Sequence, residues 1–266
     1  MLETLVLADF SHSGYIRPMV TINVQSDIAQ ALARLSKLEP RQLPFIVSLA
    51  MNKTMKQVRI DEQKEIQRAF DRPTAYTLNS LRSIPATKES LEASITFKDM
   101  AGRGVPAGKY LNEEIYGGAR RDKKLDRALI ALGVMPASMF AVPTGAAPLD
   151  GNGNISGQYA RQLIRVLQGR RRGGKNPDAA FRAVGEGENL PPGIYARNGR
   201  KLSRVIAFTK VKAYHKRLRF FEVAEETLAR VLVDETRKAA EYAISTSNTN
   251  IGSGDIAAAI GAIAGL

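Results

Sequence analysis

The sequence predicts an α+β fold, with long N- and C-terminal helices packed with a small antiparallel β-sheet and with extended terminal arms. Three observations carry this. Apolar residues recur at helical spacing across residues 42–70 and again across 218–244. Residues 91–98 alternate strictly between apolar and polar, the period of a strand. Asn198-Gly199 stands between two apolar runs, the signature of a β-hairpin with a type I′ turn.

Taken in order, residues 1–24 read as an N-terminal arm with a strand or two. Ser26 is a fitting N-cap for a helix carrying Ile28, Ala31, Leu32 and Leu35, which Pro40 closes. Pro44 suits the first turn of the long helix 42–70, whose stripe is Val47, Ala50, Met51, Thr54, Met55 and Val58. Its methionines read as core packing. Asp61 and Glu62 interrupt the stripe, which resumes at Ile66 and Ala69, so the second half of this helix is expected to be more exposed. Pro73 ends it. Residues 76–81 and 91–98 read as two strands, the second with one wet face formed by Glu92, Ser94, Thr96 and Lys98. The link 82–90, with Pro85, is expected to protrude.

A Gly-rich loop is expected over 102–108, a short helix over 110–116, and another helix carrying Leu125, Ala128, Leu129 and Leu132, ended by Gly133. A short strand over 135–142 and a loop over 143–157 follow. A helix over 158–168 leads into a basic loop at 169–178, and the hairpin covers 193–208. The final helix presents Phe221, Ala224, Leu228, Val231, Leu232, Ala239 and Tyr242. Residues 245–254 have linker composition, and 256–266 form an apolar tail. The domain reading is therefore an arm (1–24), one core domain (25–244), and a linker with its tail (245–266).

Charge is distributed unevenly. Residues 161–219 hold 16 Lys and Arg against 3 Asp and Glu, a net of +13 that equals the net of all 266 residues. Everything outside this segment balances. The excess calls for a local explanation, either a negatively charged partner or an arm that stays solvated. Candidate contacts for DNA or an acidic partner are Arg170, Arg171, Arg172 and Lys175 in the basic loop, and Arg197, Arg200, Lys201 and Arg204 in the hairpin. Whether the loop meets phosphates, an acidic protein or only water is open at this stage.

The sequence offers little for chemistry. It has no Cys, hence no disulfide and no thiolate metal site, and only two His, His12 and His215. No Ser elbow and no H-E-x-x-H are present. Glu113-Glu114 and Glu225-Glu226 are adjacent on helices, so their side chains diverge. Gly169, Gly174 and Lys175 match the letters of a phosphate loop, but a helix precedes them and Asn176 replaces the magnesium-holding hydroxyl. Asp150-Gly-Asn-Gly-Asn154 resembles the start of a calcium loop. It has Ile155 where the loop needs Gly and Arg161 where it needs Glu, so a turn explains it. No cofactor or metal ligand is assigned. No apolar run reaches about 18 residues, so no membrane span is expected. The acidic start, Met1-Leu-Glu-Thr, is unlike a secretion signal.

Four stretches carry a resemblance: Ala69-Phe-Asp-Arg-Pro-Thr-Ala-Tyr-Thr-Leu78, Ser90-Leu-Glu-Ala-Ser-Ile-Thr-Phe-Lys98, Tyr116-Gly-Gly-Ala-Arg-Arg121 and Gly133-Val-Met-Pro-Ala-Ser-Met-Phe-Ala-Val-Pro143. Together they resemble a family of prophage-encoded structural proteins of phage tails. The layout over residues 22–244 is similar to that of tail-completion proteins, including the minor tail protein Z group. The resemblance implies a non-enzymatic component of the virion neck or tail, built as a homo-oligomeric ring. Its implied partners are other neck, tail or portal-associated proteins, with non-specific contact to packaged DNA. The alternative is a basic nucleic-acid-binding protein, for which the basic segment argues. Phe181, Tyr195, Phe208 and Tyr214 are too scattered there to make a stacking platform.

Overall fold

The computed structural model describes residues 9–10, 16–23, 42–98, 105–119, 121–171, 181–210 and 213–246. The fold is α+β. Where the sequence reading drew one core domain over 25–244, the structure divides the chain into two compact units. Unit 1 is Met1–Gly117 with His215–Leu266, and unit 2 is the single stretch Gly118–Tyr214. The helix expected near residues 28–35 and the apolar tail 256–266 lie outside the described residues.

Unit 1 is built on two long helices, α1 (Leu43–Ala69) and, at the end of the described chain, Phe220–Ser245. They bury a shared apolar seam. Ile46, Val47, Ala50, Met51, Met55, Val58 and Ile66 of α1 belong to one core with Phe220, Ala224, Leu228 and Leu232 of the last helix. The second half of α1 is the more exposed one, as expected, with Ile60, Lys64, Gln67 and Arg68 at the surface, yet Glu62, Glu65 and Ile66 within it are buried. The apolar stripe is interrupted at Asp61, but the last helix continues alongside and covers the acids too. On that helix Ala224, Leu228, Leu232 and Ala239 of the expected face are buried, but the face departs from the expected one at its ends. Phe220 and Ala243 are buried, whereas Phe221 is only half-buried and Tyr242 is 54 % exposed.

A three-stranded sheet completes unit 1, in the order β3-β5-β4, with β3 at Met19–Asn23, β4 at Leu81–Ile84 and β5 at Glu92–Phe97. Both pairings are antiparallel. The N-terminal region thus supplies a full edge strand, preceded by a two-residue pair, β1 (Asp9–Phe10) and β2 (Ile16–Arg17). The strand expected over 76–81 is instead a helical turn, α2 (Ala75–Leu78), and the strand starts at Leu81. Thr74 explains the shift: its side chain caps the turn by accepting from Thr77 N at 3.2 Å. The expected wet face of β5 holds at its ends, where Glu92 and Lys98 are exposed, and fails in the middle. Ser94 and Thr96 are each 4 % exposed. As the central strand β5 is paired on both edges, and Thr96 donates its hydroxyl to Pro18 O at 3.0 Å. Nor does the link after β4 protrude freely. The Asn52 amide accepts from Ala86 N at 2.8 Å and donates to Ala86 O at 2.9 Å, pinning the link to α1.

Helix α3 (Ala107–Tyr116) takes in Gly108, which the sequence placed in a loop, and residues 99–104 lie outside the described set. Gly117 and Gly118 end it at φ +75° and +116°, values that favour glycine.

Unit 2 starts and ends side by side: Gly118 and Tyr214 exchange backbone hydrogen bonds of 3.1 and 2.8 Å. Its elements are α4 (Lys124–Ala131), β6 (Phe140–Pro143), α5 (Gly157–Arg171), β7 (Phe181–Val184), β8 (Gly193–Asn198) and β9 (Lys201–Thr209). The last helix of unit 1, Phe220–Ser245, is α6. The four strands form one antiparallel sheet in the order β6-β9-β8-β7. Strand β7 had no expectation in the sequence; its Phe-Arg-Ala-Val is too short to show a period. Leu129, Leu163 and Leu167 of α4 and α5 share a second core with Phe181, Ile194, Ile206 and Phe208, so the helices cover one face of this sheet. Tyr159 of α5 meets Phe181 edge-on, with ring centroids 5.7 Å apart. Buried Asp126 ties α4 to β6 by accepting from Lys123 N at 2.7 Å and Ala141 N at 2.8 Å.

Candidate functional site

The charge imbalance belongs to one unit. Unit 2, residues 118–214, contains 18 Lys and Arg against 6 Asp and Glu, whereas the rest of the chain has 21 against 20. In unit 1 several cations are matched to acids. Arg230 meets Asp61 at 2.6 Å, Arg68 meets Glu65 at 2.6 Å, and Arg237 and Lys238 engage Asp234, Glu235 and Glu241. In the hairpin of unit 2 this matching fails. Arg197, Arg200, Lys201 and Arg204 form no ion pair with any acid among the described residues.

The hairpin that presents them differs from the expected type I′. Asn198 pairs with Lys201, so the two loop residues are Gly199 and Arg200. Gly199 alone takes a positive φ, +58°. A glycine first and an ordinary residue second is the II′ pattern, which matches strand twist as well as I′ does.

Register decides which side chains share a face. Arg182 of β7 lies opposite Tyr195 of β8, and Tyr195 opposite Arg204 of β9. Arg197 lies two residues beyond Tyr195, opposite Leu202. Directly paired residues point to the same side of a sheet, as do residues two apart along a strand. Arg182, Tyr195, Arg204, Arg197 and Leu202 therefore occupy one face. Phe181, Ile194 and Ile206 occupy the other, the face that α4 and α5 cover. Lys201, opposite Asn198, falls on the helix side of the ribbon.

Tyr195 is buried, and its hydroxyl donates to Pro191 O at 2.9 Å. Its ring is thus fixed as a floor and is not free to stack. Gly193 makes room for Arg204, since a Cβ built on Gly193 would stand 2.9 Å from Arg204 Cδ. The aliphatic stem of Arg204 crosses this gap, in the manner of long basic side chains that bury their stems and keep the charge wet. Arg182 is engaged: Glu188 accepts from it at 2.9 Å while also accepting from Gly185 N at 2.9 Å.

The other group of candidates divides. Arg170 and Arg171 continue α5, so residues 169–171 are helix and not loop. Arg172, Lys175 and the rest of the expected basic loop lie outside the described residues. Helix before Gly174-Lys175 agrees with rejecting a phosphate loop there. At the other motif, the Asp150 carboxylate accepts from Asn152 N at 2.9 Å and Asn154 N at 2.8 Å, the bonding of a turn.

Sequence reasoning missed Glu62. It is fully buried between α1 and α6, and neither of its carboxyl oxygens has a hydrogen-bond partner among the described residues. Burial, then the nearby charges of Glu65, Glu222 and Asp61, push its pKa up to about 9. It is therefore a neutral acid at pH 7. Its neighbours are otherwise occupied. Glu65 is held below the ordinary carboxylate range chiefly by its bond to Arg68, and it also accepts from Arg219 N at 3.2 Å, ahead of the first turn of α6. No group of three or more His, Cys, Asp or Glu among the described residues is arranged to hold a metal ion. A groove of about 670 Å³ on α1 and α6 is lined by Lys53, Lys56, Gln57, Ile60, Arg230 and Asp234 among others, and it does not include Glu62. No helix among the described residues is long and apolar enough to cross a membrane.

Comparison of the chain with protein families, curated proteins and solved structures finds no match.

Proposed function

We propose that this chain is a non-enzymatic structural protein of a phage neck or tail, acting as an oligomeric ring component whose basic unit faces a polyanion. One observation carries the reading: charge is partitioned between a balanced unit built on two long packed helices and a second unit with 18 cations against 6 acids. A balanced helical body suits repeated contact with copies of itself, because a ring joins one patch to a complementary patch on the next subunit. The basic unit suits packaged DNA, or the acidic surface of another neck, tail or portal-associated protein. The resemblance of four local stretches to phage tail structural proteins supports the same reading.

The test is the mass of purified, nuclease-treated protein by light scattering coupled to size exclusion, at low and high salt. A discrete multiple of 29.0 kDa that persists at high salt is expected, because apolar helix packing is not screened. A monomer at every protein concentration, together with tight duplex binding, would move the assignment to the second reading, a stand-alone nucleic-acid-binding protein. That second reading is favoured by the four hairpin cations that form no ion pair among the described residues.

A further inference from the structure

We infer that the face of the unit 2 sheet turned away from α4 and α5 binds the phosphate backbone of duplex nucleic acid without reading its sequence, through Arg197, Arg204 and the turn residue Arg200, and that Glu188 withholds Arg182 from the same surface. The inference builds on the reading of unit 2 as the part that meets a polyanion. It names the face, the partner and a residue that limits the contact.

Three features select phosphates over other partners. The cations on this face are guanidinium groups, whose planar forks match phosphate oxygens. The one aromatic ring among them, Tyr195, is buried and tied to Pro191 O, so no base can stack on it. Among the described residues Leu202, 41 % exposed, is the one large apolar side chain of this face that is exposed, too little for the apolar centre of a protein–protein interface. Contacts to phosphate carry no sequence information, so the expected binding is non-specific.

Glu188 gives the surface a brake. It faces Arg182 at 2.9 Å and is anchored by Gly185 N, so its charge is fixed where a phosphate would approach. Arg182 stands in the same cross-strand row as Arg204, two strand spacings or roughly 10 Å away. Replacing Glu188 by Gln keeps an oxygen for Gly185 N and removes the charge that holds Arg182.

The experiment measures binding of a 30-base-pair duplex by fluorescence anisotropy across a salt series, using the full chain. Each phosphate neutralised contributes a slope of about −0.9 in log affinity against log salt. Three arginines without an ion pair among the described residues predict a slope of about −2.7, which is a loss of about 40-fold between 50 and 200 mM salt. Glu188→Gln is expected to steepen the slope to about −3.6, a loss of about 150-fold over the same range. Arg197→Gln is expected to flatten it to about −1.8, while Lys201→Gln, on the other side of the ribbon, changes it by less than half as much.

Equal flattening by Arg197→Gln and Lys201→Gln would overturn the face assignment, since the attraction would then be diffuse. An unchanged slope for Glu188→Gln would overturn the brake. Poly-glutamate competing as well as duplex, charge for charge, would give the surface to acidic protein. No duplex binding at 50 mM salt would end the inference while leaving the ring reading to the mass measurement, which does not depend on DNA.

Discussion

Glu62→Gln should stabilise the protein, and the gain should grow with pH. The native side chain is fully buried without a hydrogen-bond partner among the described residues, and it holds its proton up to a pKa of about 9. In the unfolded chain the same carboxyl ionises near its ordinary value of 4.5. The folded state therefore binds the extra proton between these two values, and stability falls as pH rises through that window. Each pH unit inside it costs about 1.4 kcal/mol, so the penalty is under about 1 kcal/mol at pH 5, about 3 at pH 7 and about 5 at pH 8. Glutamine has the shape of the neutral acid and no charge to lose on folding, so it removes the pH-dependent part and keeps the cost of an unpartnered polar group. Urea unfolding followed by circular dichroism at 222 nm reports mainly α1 and α6, the two longest helices, which enclose the site. The stabilisation of the variant at pH 8 should exceed that at pH 5 by about 4 kcal/mol. Equal stabilisation at the two pH values would refute the reasoning, because the native acid would then be ionised in the fold or exposed to water.

Two further outcomes follow from packing and pinning. Phe220→Ala should destabilise unit 1 by about 3–5 kcal/mol, as Phe220 is fully buried with its ring 5.2 Å from Phe97 and 5.4 Å from Phe221; a urea midpoint within error of the native one would contradict its place in the core. Asn52→Ala should cost about 1–3 kcal/mol and speed amide exchange at Ala86, whose N–H and carbonyl both bond to that one side chain, with unchanged exchange counting against the pin.

Much of the fold was legible because several segments declare their own period. The stripe from Val47 to Val58 announces α1, and its observed limits, Leu43–Ala69, differ from the expected 42–70 by one residue at each end. Strand β5 announces itself by alternation, and Asn198-Gly199 marks the hairpin although the turn centres one residue later. Less was legible where a side chain or a distant segment intervened. Thr74 turned an apolar run into a helical turn, and Asn52 fixed a link whose composition spoke only of loop. The candidate site was half legible. Its basic residues stand out in composition, but composition could not sort Arg197 and Arg204 from Lys201, nor add Arg182 with its partner Glu188.

The sequence by itself determined the class of the fold, the two long helices, the central alternating strand and the concentration of charge, since each is a property of neighbouring residues. Tertiary structure decided what covers each face. Ser94 and Thr96 read as wet from their own strand and are buried in the folded unit, where β5 is the central strand. Glu62 broke the stripe of its own helix and is buried because α6 runs beside it. On β9, strict alternation would set Arg204 and Ile206 on one side. The irregularity opposite Ile194 and Tyr195 inserts Val205, so Ile206 joins the core while Arg204 turns to the opposite face beside Tyr195. A local period cannot report such a shift, because it is set by the pairing of strands across the sheet.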